Sequence, residues 1–139
     1  MDNKSLNDCI ASILIDIEKR KTVDYTDKKS IRRYNAAMDR IVSNIKYIEN
    51  NCPSCIESII DFLNNPDQAV SGTFASLIFN MKNATLEHKM KCLSTAKSII
   101  NNSQTSSLNR VGWQYRARQM EDEINRFKEE TAFRNGLEG

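Results

Sequence analysis

DKKSIRRYNAAMDRIVSNIKYIENN, residues 27–51, decides the fold. Within it Ile31, Tyr34, Met38, Ile41, Ile45 and Ile48 are spaced alternately by three and four positions, and Val42 widens the stripe. That is the period of one face of an α-helix, not the alternation of a strand. Thr26 or Asp27 offers an N-terminal cap, and Asn50-Asn51 a stop. The stripe only just reaches the length of a sustained heptad pattern, so a seam inside one helical chain is the expectation.

Working toward the N-terminus, Leu6, Ile10, Ile13, Leu14 and Ile17 share one face of a helix over about Ser5 to Arg20, with Lys19-Arg20-Lys21 at the end where cations suit the helix dipole. Thr22 to Thr26 makes the connection. Toward the C-terminus, Pro53 opens a third helix that runs to about Leu63 and buries Ile56, Ile59, Ile60 and Leu63. Asn64-Asn65-Pro66-Asp67 stops that helix and starts the next, with Asn65 as cap and Pro66 in the first turn. In the fourth helix Val70, Phe74, Leu77, Ile78 and Met81 share a face, and Gly72 and Ala75 are small enough for a neighbour to approach closely. Asn83 or Thr85 begins a fifth, striped by Leu86, Met90, Leu93, Ala96 and Ile100. The polar run Asn101 to Ser107 is the clearest loop, followed by a short turn around Leu108 and Val111. From Trp113, a sixth helix repeats through Ala117, Met120, Ile124, Phe127 and Thr131. The expectation is an all-α domain of about six helices in antiparallel helix-turn-helix pairs, a short solenoid or bundle. It spans residues 1–134, and the tail 135–139 is expected to fray.

Composition agrees. The chain has 139 residues, 40% hydrophobic and 27% charged, enough for one core. Its 4 Gly and 2 Pro leave too little turn material for a strand-rich fold. The longest uncharged stretch, Gln68 to Met81, is shorter than a membrane span needs. Met1-Asp2-Asn3-Lys4 does not open a secretory signal, so the expected location is the cytoplasm, with Cys9, Cys52, Cys55 and Cys92 as free thiols. The richness in Asn, Lys and Ile points to an A/T-rich, bacterial or phage source.

The turn and helix Leu63-Asn64-Asn65-Pro66-Asp67-Gln68-Ala69-Val70, with Ala75 and Leu77, resemble the turn and second helix of HEAT-like repeats, although Ser71 stands where that family usually places Arg. In size and style the chain is similar to small HEAT-like bacterial domains, some of which serve as immunity proteins beside secreted toxins. What the resemblance implies is a non-catalytic, protein-binding function.

Charge is unevenly placed. Residues 1–46 hold ten Lys or Arg against seven Asp or Glu, residues 47–81 none against four, and residues 82–139 ten against seven. The four, Glu49, Glu57, Asp61 and Asp67, are expected to form an acidic surface that steers a basic protein, although ordinary solvated carboxylates give the same count. A basic, nucleic-acid-cutting toxin is the partner this favours.

Other chemistries rest on thinner signals. Cys52-Pro53-Ser54-Cys55 is spelled like the motif of thioredoxin-like oxidoreductases, where a helix N-terminus stabilises a thiolate, but it follows a long helix and not a strand. The same pair with His88 and Cys92 makes a four-ligand zinc count, against which a cysteine on a helix is commonly a small buried hydrophobe. Glu121-Asp122-Glu123 and Glu129-Glu130 read as a solvated helix face. No nucleotide loop, calcium loop or metalloprotease motif occurs, so neither a catalytic residue nor a cofactor is expected. The competing function is a nucleic-acid-associated or regulatory bundle that places Lys29, Arg33 and Arg40 on phosphates. Trp113, Tyr115, Arg116 and Arg118 offer a second binding patch, with Trp113 read first as a core anchor.

Overall fold

The computed structural model describes residues 3–138. It is all-helical, with no strand among the described residues: α1 (Asn3–Arg20), α2 (Lys28–Asn51), a 3-10 turn (Pro53–Cys55), α3 (Ile56–Ile59), a 3-10 segment (Ile60–Asn64), α4 (Gln68–Phe79), α5 (Leu86–Asn101) and α6 (Ser107–Glu138). Helices adjacent in sequence pack on one another, α1 on α2, α4 on α5 and α5 on α6, which makes a helical bundle.

Local chemistry sets the boundaries. Asp27 caps α2 by accepting from the Lys29 N–H at 3.0 Å. Thr85 caps α5 through a reciprocal pair: its hydroxyl accepts from the His88 N–H at 3.2 Å, and its own N–H donates to His88 Nδ1 at 3.1 Å. For α4 the cap falls two residues later than the Asn65 expected from sequence. Asp67 accepts from the Ala69 N–H at 2.9 Å, and Asn65 instead accepts from the Asp67 N–H at 2.9 Å. The α6 helix begins at Ser107, six residues before Trp113, because Ser106 caps it and the expected turn around Leu108 and Val111 is already helical. At its far end the backbone stays helical through Asn135 and Gly136 to Glu138, and Gly139 lies outside the described residues.

The α4 helix is the centre. It carries no charged residue, and Val70, Ser71, Gly72, Phe74, Ala75, Ile78 and Phe79 are all buried. Only a narrow flank, with Thr73 and Ser76, is partly open, and no residue of α4 is fully exposed. The α5 helix, the Ile60–Asn64 segment and α1 do the covering, with Phe62 stacked on Phe74 at 4.5 Å. Gly72 admits the Trp113 ring of α6: a Cβ there would stand 2.6 Å from its Cζ2, so the close approach expected at Gly72 occurs.

In α5 the buried face is rotated from the expected one. His88, Cys92, Thr95, Ala96 and Ile99 are buried, while Met90 is exposed and Leu86, Leu93 and Ile100 are only partly covered. Because α5 lies between α4 and α6, it needs two faces, and the inner one is partly polar. Thr95 Oγ1 donates to the Leu63 carbonyl at 3.2 Å to satisfy that interior.

Candidate functional site

Three of the four carboxylates of the acidic block have partners within the chain. Asp67 caps α4 and is bonded by Lys21, which lies 46 positions earlier. The Lys21 hydrogen bond, assisted by the N–H groups of α4, holds the Asp67 carboxyl below the usual carboxylate range. Glu49 accepts from the Lys82 N–H at 2.7 Å and so ties the end of α2 to the turn after α4. Glu57 lies 2.6 Å from His88 Nε2, although its side chain is 73% exposed. Asp61 stands exposed on the 3-10 segment, four positions beyond Glu57.

His88 is a buried capping residue. Its Nδ1 accepts from Thr85, so the ring proton sits on Nε2 and is donated to Glu57. This arrangement uses both nitrogens. Among the described residues no group of three or more His, Cys, Asp or Glu is placed to hold a metal ion. The zinc constellation is further dispersed by the cysteines. Cys52 and Cys55 are joined in a disulfide, with Cα atoms 5.4 Å apart, where free thiols were expected. The turn between α2 and α3 brings the two together, since the Cys55 N–H donates to the Cys52 carbonyl at 2.9 Å. Cys9 and Cys92 are free and buried. Burial pushes the Cys92 thiol up to about 12, and burial and Asp8 raise Cys9.

The basic stripe of α2 loses a member. Arg40 donates from Nε and Nη2 to Asp16, the latter at 2.8 Å, and Asp16 is 2% exposed on the inner side of α1. The bidentate pair gives a buried carboxylate its counter-charge. Lys29 and Arg33 remain exposed. Nothing in the sequence marks Asp16 as buried except its place one residue before Ile17 in the apolar face of α1.

Beside Asp61 an open groove of about 470 Å³ runs between the Ile60–Asn64 segment and α5. Asn64, Gln68, Ser94, Ser98 and Asn102 supply its hydrogen-bonding groups, and Lys91 and Asp61 are its only charges. Sequence reasoning found Asp61 through charge counting. It missed the groove, whose polar members are scattered over three elements. Compared with protein families, curated proteins and solved structures, the chain matches none.

Proposed function

We propose that this chain is a non-catalytic protein-binding domain, an inhibitor of the toxin-immunity kind that takes a basic protein partner on the surface around α3 and the Ile60–Asn64 segment. The observation that carries the reading is the exposed pair Glu57 and Asp61, one helical turn apart, with Asp61 at the edge of a groove rich in carboxamides and hydroxyls. Exposed carboxylates steer the encounter, and side-chain amides and hydroxyls adapt to the partner's backbone. Glu49 and Asp67 extend the negative field, but each holds two elements together, as Glu57 does through His88 of α5. Charge reversal at those three residues therefore tests folding as well as binding.

The clean experiment reverses Asp61 to Lys and pairs it with Glu57→Gln, which removes the charge but keeps an acceptor for His88 Nε2–H. A tagged full-length chain is incubated with nuclease-treated lysate of its source cell at moderate salt, and the captured basic proteins are identified and their association rates measured. Slowing by about tenfold with unchanged helicity supports the reading. Capture of the same proteins at the same rate by the double variant removes it.

A further inference from the structure

The α6 helix has 32 residues and is about 48 Å long. Its inward side meets the core through Trp113, Ala117, Met120 and Ile124, and residues 125 to 136 are all exposed. The opposite side is not polar throughout. Leu108, Val111, Tyr115 and Phe133 are each more than 60% exposed and fall in one strip at about 100° per residue. We propose that this strip is the docking surface for a second copy of the chain, packed antiparallel about a two-fold axis level with residue 124.

The strip is its own complement when read outward from that level. Asp122 comes opposite Arg126 of the partner subunit, Arg118 opposite Glu129 of the partner subunit, and Tyr115 opposite Phe133 of the partner subunit. Each match holds to within about one residue rise, 1.5 Å, and the symmetry makes every contact twice. None of these four charged residues forms an ion pair among the described residues. The neighbouring Glu121 and Glu123 instead reach back to Lys97 and Lys89 of α5. A parallel pairing in register would set Asp122 on Asp122 and Arg126 on Arg126, so the charges select the antiparallel arrangement. Helix dipoles favour the same choice.

The overlap covers about 40 Å of helix. This surface is separate from Glu57 and Asp61, so it stands or falls independently of the inhibitor reading.

The test is sedimentation equilibrium on the full chain, with a spin label at Asn109→Cys reporting orientation. Dimers are expected, with labels about 45 Å apart along the helix axis. Asp122→Arg alone is expected to weaken association at least tenfold. Asp122→Arg with Arg126→Asp restores it, since the swap rebuilds the pairs across the axis. A monomer at about 100 µM, a dimer indifferent to Asp122→Arg, or labels within about 20 Å would each overturn the proposal.

Discussion

The helices α2 and α6 carry the same apolar rhythm, yet they end in opposite circumstances. In α2 the stripe is matched along its length: Ala37, Ile41, Ile45 and Ile48 are buried, and Ile31 and Met38 are partly covered. In α6 the rhythm runs past the end of the body. Ile124 is 4% exposed, whereas Phe127, the next member, is 40% exposed. Period therefore reveals which side chains point the same way, and the lengths of neighbouring elements decide whether anything is there to meet them. The α1 helix runs beside α2 for 18 residues, while α5 supplies only 16 to cover the 32 of α6.

The sharpest way to break that contrast is to delete equivalent apolar mass from both helices. Ile41→Ala, at a site with 0% exposure, is expected to cost about 3 kcal/mol in urea unfolding. Phe133→Ala in dilute, monomeric protein is expected to cost less than about 0.5 kcal/mol. Equal losses would mean that the outer half of α6 is held by the body after all.

A smaller effect probes where α6 is anchored. Gly72→Ala would put a methyl 2.6 Å from Trp113 Cζ2 and 3.3 Å from Ile99 Cδ1. A cost of about 2 kcal/mol is expected, with a shift in the emission of Trp113, the single tryptophan. An unshifted emission spectrum would place the hold on α6 elsewhere.

The smallest effect concerns acid. Asp67 has its pKa lowered below 3.8 in the folded chain, so its stabilising contribution is complete above about pH 5 and fades as pH falls through the folded value. The Lys21 pair is partly exposed, which limits that contribution to under about 1 kcal/mol. Asp67→Asn should therefore destabilise slightly at pH 7, and the difference should shrink as pH falls below 3.8, measured by urea midpoint. An unchanged midpoint at pH 7 would assign the α1–α4 junction to packing alone.

The helices were legible where punctuation and period agreed: Asp27 and Thr85 mark starts, and Asn101 to Ser107 marks the main loop, whereas the helix expected from Pro53 to Leu63 is broken by 3-10 turns on either side of α3. The α5 face was not legible. A helix gripped on two sides has no single stripe, and its strongest apolar members, Leu86, Met90 and Leu93, face the less covered side. The acidic block was legible as composition but not as electrostatics. Lys21, Lys82 and His88 reach its members from elsewhere in the chain, and only the fold puts them there. Likewise only the α1–α2 interface brings Arg40 to the buried Asp16.

Arg110, in the first turn of α6, donates to three carbonyls at the end of α5 and its loop: Ile100 at 2.9 Å, Asn102 at 3.0 Å and Thr105 at 3.1 Å. One guanidinium thus clasps the corner, and Thr105 beneath it is 6% exposed. Mechanically, the pair α5–α6 behaves as a bracket with a locked elbow. From the elbow to the end of α6 is about 42 Å, so a tilt of a few degrees at the elbow displaces the tip by only about 2–4 Å. Whatever meets Phe133 therefore meets it at a defined position in space, set by a residue more than 20 positions away.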